Sequence, residues 1–155
     1  MFDIIVDTKE QQPWTFENIN GDIIDNIIHH NLDTGDYTIA GFEETLCIER
    51  KKSVAELAKN ITEARFEREL ERMYEFRHKF LILEFGYYNI DTYPIGSSVP
   101  KYLQSKIKIT GSYILKKLSE IAIKYDIHVI PCDNRTYAEI VAVNLMKRIY
   151  EQYNK

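Results

Sequence analysis

The run Phe80-Leu81-Ile82-Leu83, closed by Glu84, constrains the fold of this chain more than any other feature. Consecutive apolar residues with no polar alternation read as a strand buried on both faces, and such a strand needs a packed layer on either side. Phe2-Asp3-Ile4-Ile5-Val6-Asp7 reads as a second buried strand, ending on an acid and broken by Gln11-Gln12-Pro13-Trp14. Gly21 to His30 reads as a helix whose apolar stripe is Ile23, Ile24, Ile27 and Ile28. Asp36 to Ala40 and Thr45 to Lys51 are β-like runs joined by the hairpin loop Gly41-Phe42-Glu43-Glu44. Ser53-Val54-Ala55-Glu56 is a capping box and opens a helical pattern that runs to about Arg77 with a break near Thr62. Gly86 to Pro100 reads as a long loop, Gly111 to Tyr125 as a helix, Ile127 to Ile130 as a strand and Thr136 to Tyr153 as a closing helix. Strands alternating with helices predict an α/β fold, with one mixed central sheet flanked by helices on both faces.

At 155 residues and 45% hydrophobic content the chain suits a single domain, 1–155, with one real core. Cys47 and Cys132 sit in apolar surroundings with no CxxC pair, which predicts buried free thiols in a reducing compartment. The Met-Phe-Asp start is not a signal peptide, and no apolar run reaches membrane-spanning length. The expectation is a cytoplasmic protein without a membrane partner. The formal net charge of −4 means that a face for nucleic acid must be local. Lys and Arg do cluster, at Arg50-Lys51-Lys52, from Arg65 to Arg77 and from Lys101 to Lys117.

Chemistry concentrates in the hairpin. If Ala40 pairs with Thr45, register carries Ile39 to Leu46 and Asp36 to Glu49. Opposed residues point to one face, with Cβ atoms about 4.5–5.5 Å apart. Two unshielded carboxylates so placed repel, and a divalent cation between them resolves the conflict. Alternation puts Lys51 on the face of Glu49 and turns Leu46, Ile48 and Arg50 to the other. Two hard oxygen ligands beside an ammonium suit phosphodiester hydrolysis with Mg²⁺ or Mn²⁺. Asp7, at the end of the first strand, is placed to complete the acidic cluster. The same spacing also fits a solvated hairpin with cross-strand charge pairing.

The neighbouring residues carry a resemblance. Val6-Asp7-Thr8-Lys9-Glu10, Gly35-Asp36-Tyr37 and Ile48-Glu49-Arg50-Lys51, in that order, resemble the nuclease domain of the XPF family of structure-specific endonucleases. Ala64-Arg65-Phe66-Glu67-Arg68-Glu69-Leu70 looks like the family's Gly-Arg-Phe helix, and Phe80 to Glu84 like the strand after it. The stand-alone size is similar to compact phage-type members. The resemblance implies a restriction-endonuclease-like (PD-(D/E)xK) sheet and a divalent-metal DNA endonuclease acting on branched, flap or junction DNA in recombination or repair. It implies Asp7, Asp36, Glu49 and Lys51 as catalytic residues, and a metal site of Asp36, Glu49, Asp7 and the Arg50 carbonyl. Glu10, Arg50 and Arg65 match accessory positions. It also implies a homodimer, in the host cytoplasm if phage-encoded.

Three departures stand out. Lys9 replaces an arginine, Ala55 stands at the position of a final aspartate with Glu56 next to it, and no helix-hairpin-helix domain follows. Inactive scaffold partners occur in this family, and a restriction-type nuclease would share the metal core; retention of the acids and the lysine favours an active enzyme.

Other signals are less specific. Arg65, Arg68 and Arg72 form one helical stripe, fitting either phosphate contact or a solvated face with the ion pairs Arg65–Glu69 and Arg68–Glu71. Lys106, Lys108, Lys116 and Lys117 surround Thr110-Gly111-Ser112 at a helix start, which fits a phosphate site or, better, an N-cap with a basic solvated face. Tyr87, Tyr88, Tyr93 and Tyr102 fit base stacking, a dimer contact or loop packing equally. Asp33-Thr34-Gly35 matches an aspartic-protease triplet in a chain too helical for that fold. The histidines show no zinc-ligand spacing.

Overall fold

The computed structural model describes every residue, Met1–Lys155. In chain order the elements are β1 (Phe2–Val6), β2 (Ile24–His29), β3 (Tyr37–Ile39), β4 (Leu46–Lys51), α1 (Val54–Asn60), α2 (Ala64–Tyr74), β5 (His78–Leu83), α3 (Tyr87–Asp91), α4 (Lys101–Gln104), α5 (Gly111–Tyr125), β6 (His128–Pro131) and α6 (Arg135–Tyr153). The strands form one sheet in the order β2-β1-β3-β4-β5-β6. It is mixed: β3 runs antiparallel to β1 and β4, and the other pairs are parallel.

The apolar run is β5, paired on both edges with β4 and β6. Its alternation feeds two cores. Phe80 and Ile82 join Ile4, Val6, Tyr37, Ile48, Trp14 and the α6 residues Ala138, Ala142 and Met146. Leu81 and Leu83 join Leu57 of α1, Phe66, Leu70 and Met73 of α2, and Ile114, Leu118 and Ile121 of α5. Helices thus cover both faces, as the alternation of elements predicts. Both cysteines are free and buried. No helix is long and apolar enough to cross a membrane.

Two expectations are corrected. Residues 21–30 are not a helix: Ile24–His29 is the edge strand β2, parallel to β1, with Ile4 aligned to Ile27 and Ile5 to Ile28. The isoleucine spacing fits a helical stripe, but β-branched side chains favour strands, and pairing with β1 decides the matter. Ile27 and Ile28 fall on opposite faces of this edge and stay 38% and 40% exposed. The long loop after Gly86 also contains the short helix α3, whose start is held by Gly86 N donating to Asn89 Oδ1 at 2.9 Å and whose Ile90 is fully buried. Within it, Tyr93 packs on the α5 side of the core while Tyr87 and Tyr88 are exposed, as is Tyr102 on α4. The caps at Ser53 and Thr110 form as expected, accepting from Glu56 N and Tyr113 N, each at 3.1 Å.

Candidate active site

Tyr37 stands opposite Ile48, the alignment that also brings Asp36 opposite Glu49. Val6 stands opposite Tyr37, so Asp7 lies beside Asp36, and Asp7 N donates to Asp36 O at 2.9 Å. Three neighbouring strands therefore deliver Asp7, Asp36 and Glu49 to one end of one sheet face. Gly35 allows this turn. It has φ +83°, and a Cβ there would lie 2.5 Å from Cys47 Sγ. Tyr37, one residue past Asp36, turns to the opposite layer and stacks on Trp14 at 4.4 Å.

These acids line a polar cleft of about 580 Å³ between the sheet end, α1 and α2. Asp7, Glu10, Asp36, Glu49, Lys51, Arg65 and Arg72 are all on its wall; Arg68 is not. Tyr87, Tyr88, Tyr93 and Tyr102 are also absent from it. Asp33 is on its rim, and Thr34 accepts from Arg72 Nε at 3.2 Å, so the protease-like triplet is a bend leading into β3. The cleft carries seven carboxylates (Asp7, Glu10, Asp33, Asp36, Glu49, Glu56, Glu69) and five cations (Lys9, Lys51, Lys52, Arg65, Arg72), a net charge of −2.

The tripeptide Glu49-Arg50-Lys51 divides between the two layers. Lys51 Nζ lies 3.3 Å from Glu49 Oε1 and 4.7 Å from the centre of the Phe66 ring, a cation–π contact. Arg50 points the other way and its side chain is fully buried. It reaches Glu10 at 2.8 Å, Glu84 at 3.2 Å and the carbonyls of Gln11 and Gln12, beside the rings of Trp14 and Tyr37. Its backbone N donates to Asp36 Oδ2 at 2.8 Å. The Arg50 carbonyl shares that edge of the strand, since N–H and C=O of one strand residue point to the same side.

Burial and, next, the Glu10 charge push the Asp36 carboxyl up to about 7. Burial raises Glu49 well above the usual carboxylate range, with Asp36 and Glu69 adding to it. Burial opposes the Lys51 charge, yet the surrounding carboxylates, Glu49 first, outweigh it and hold its pKa above the ordinary value. Lys51 is thus an ammonium, suited to stabilising charge rather than accepting a proton. Asp7 is fixed by Leu32 N donating to its Oδ1 at 2.9 Å.

A family model described as the ERCC4 domain matches residues 6–143. The chain belongs to the ERCC4 domain family. Two solved structures are similar to it. One, "XPF from Aeropyrum pernix", has a TM-score of 0.69 at 17% identity, over 96% of this chain and 65% of that one. The other, "XPF from Aeropyrum pernix, complex with DNA", has a TM-score of 0.66 at 16% identity, over 98% of this chain and 66% of that one. The chain therefore spans about two thirds of the length of these relatives. A comparison with curated proteins finds no match. This ERCC4 domain has the restriction-endonuclease-like fold that the resemblance implies.

The residues of this ERCC4 domain suit a hard divalent cation. The donors are carboxylate oxygens, Glu49 Oε2 is buried with no hydrogen-bond partner, and Asp36 and Glu49 both resist ionisation. They ring the cleft rather than forming a ready-made cage of three converging ligands. Two residues of the site were not singled out in the sequence. Glu84 accepts from Trp14 Nε1 at 2.7 Å and pairs with Arg50, bracing the far side. Glu69 sits on the wall of the same cleft as Glu49 and helps to raise the Glu49 carboxyl. The ion pairs of the solvated-face reading, Arg65–Glu69 and Arg68–Glu71, do not form; Glu67 instead faces Lys124 at 3.9 Å.

The raised carboxyls give a stability signature. Asp36 has a folded pKa of about 7 against an ordinary 3.8, so the folded state binds its proton more tightly than the unfolded chain. That contribution is present in acid and is lost as pH rises through about 7. Metal-free protein is expected to melt several degrees higher near pH 5 than near pH 8, and Asp36→Asn to flatten the slope. Calorimetry in EDTA checks this; equal slopes for both proteins would refute the assignment.

Proposed function

We propose that this ERCC4 domain is a divalent-metal-dependent DNA endonuclease, acting on branched or flapped DNA. The observation that carries this reading is the convergence of Asp7, Asp36, Glu49 and Lys51 in one polar cleft. Family membership and the solved relative that carries DNA support it.

Asp36, Glu49, Asp7 and the Arg50 carbonyl would hold Mg²⁺ or Mn²⁺, which supplies Lewis-acid polarisation of a phosphate when bound. Asp36 is aimed by its bond from Arg50 N. Lys51, steadied between Glu49 and the Phe66 ring, places its ammonium against the charge that grows on the phosphate. Arg65 and Arg72, exposed on α2, grip flanking phosphates without reading sequence. The negative cleft makes the cation a precondition for a polyanionic substrate.

The test is a panel of duplex, flap, fork and four-way DNA incubated with Mg²⁺, Mn²⁺ or EDTA. Cleavage of branched forms with either metal, abolished by EDTA, is the expected result. Binding without cleavage under every condition would make the protein a scaffold partner, and cutting of duplex at one sequence would make it a restriction-type enzyme. The homodimer implied by the resemblance is checked by light scattering, where a monomer mass at micromolar concentration rules it out.

A further inference from the structure

We propose that Glu69, reaching in from helix α2, is a further carboxylate ligand of the metal ion in the cleft. The inference rests on the metal-dependent reading above and names a ligand beyond the strand residues.

Glu69 occupies an unusual position for a helical glutamate. Its neighbour one turn back, Arg65, does not pair with it, while Glu67 of the same helix faces Lys124 at 3.9 Å and Arg72 reaches Thr34 at 3.2 Å. Phe66, three residues before it, lies over Lys51 at 4.7 Å, and Arg72, three residues after it, reaches Thr34, so Glu69 stands between them on the wall of the cleft that also holds Glu49.

Glu49 provides the second observation. Its side chain is only 7% exposed, Lys51 takes Oε1 at 3.3 Å, and Oε2 has no partner at all. A buried anion with a free oxygen, set against a second carboxylate, is unfavourable unless a proton or a cation lies between them. The cleft is open to solvent through polar walls, and the lysine is already committed on the other oxygen. A divalent ion held by Glu49 and Glu69 would satisfy both.

Glu56 is the competing acid, and its geometry is less suited. Its Oε2 accepts from Lys52 N at 3.3 Å, its Oε1 lies 3.9 Å from Lys51, and its side chain is 37% exposed. Both of its oxygens already have partners on the chain.

The experiment is a Mn²⁺ titration by calorimetry on the full chain, with a thermal melt of the metal-free protein alongside. Glu69→Gln is expected to weaken Mn²⁺ by about 10-fold or more, with the metal-free melt showing that the variant is folded. Glu69→Asp, keeping the charge, should bind Mn²⁺ better than Glu69→Gln. Glu67→Gln, outside the cleft, should match the wild type in affinity. Unchanged Mn²⁺ affinity in Glu69→Gln overturns the inference. So does an equal loss of Mn²⁺ affinity in Glu67→Gln, which would make the effect one of overall charge rather than ligation. Should Glu69→Gln fail to fold, Glu69→Ala carries the same expectations. Absence of Mn²⁺ binding by the wild type is distinct: it overturns the metal-dependent reading itself, and the inference with it.

Discussion

Asp36→Ala is expected to abolish cleavage, and Lys51→Met to lower the turnover of bound DNA by about 10²–10³-fold. The two act differently. Asp36 is the acid that the Arg50 amide aims into the cleft, so its loss would remove a proposed metal ligand and the anchor of the turn after Gly35. Lys51 touches Glu49 and the Phe66 ring, and its loss leaves the carboxylates in place but removes the charge opposite the phosphate. Single-turnover assays with DNA in excess of its dissociation constant separate the two: Lys51→Met should still bind Mn²⁺, and Asp36→Ala should not bind it well. Either variant cutting at the wild-type rate would remove that residue from the site. Neither is expected to unfold the chain, since Asp36→Ala deletes a carboxylate that resists ionisation where it lies.

Arg50→Ala is expected to do the reverse, costing about 3–5 kcal/mol of stability, because removing one partner of a buried ion pair strands the other. Here two carboxylates are stranded, Glu10 and Glu84, whose side chains are only 10% and 7% exposed. Trp14 and Tyr37 also lose the guanidinium beside their rings. Arg50→Lys should recover part of the loss, since an ammonium restores charge but not the forked donors that reach Glu10, Glu84 and two carbonyls at once. Urea denaturation measures both; a loss under about 1 kcal/mol would put Arg50 in the class of surface ion pairs and refute its role as a brace.

The centre of the site was legible because it depends on local rules. Hairpin register and strand alternation are short-range, so Asp36, Glu49 and Lys51 could be placed on one face, with Arg50 on the other, from the loop length alone. Long elements with clear caps, such as Gly111–Tyr125, were legible for the same reason. The failures lie where long-range contacts decide. Ile24–His29 became a strand only because β1 offered it an edge, and its isoleucines fit both periods. Helix α3 was hidden in a Gly- and Pro-containing segment because its start is capped by Asn89 acting back on Gly86. Glu69 looked like half of a helical ion pair, since no local pattern tells which neighbour across the cleft it will face. Its one sequence signal was position: Arg65, Glu69 and Arg72 lie one turn apart along the side of α2 that borders its apolar stripe.

The placement of β2 grades the site's rigidity. Glu49 and Lys51 stand on β4, an interior strand, and Asp36 is tied to it through Arg50. Asp7 stands just past the end of β1, next to an edge strand whose residues are mostly exposed, and its carboxylate is held by the amide of Leu32 just beyond that edge. Edge strands open first in local unfolding. Amide exchange should therefore be fast along Ile24–His29 and slow along Leu46–Lys51, with Asp7 as the acid whose position yields when the edge breathes. On the proposed reading, such a hinge would let the acidic site adjust to the DNA it meets while the central carboxylates and lysine stay in register.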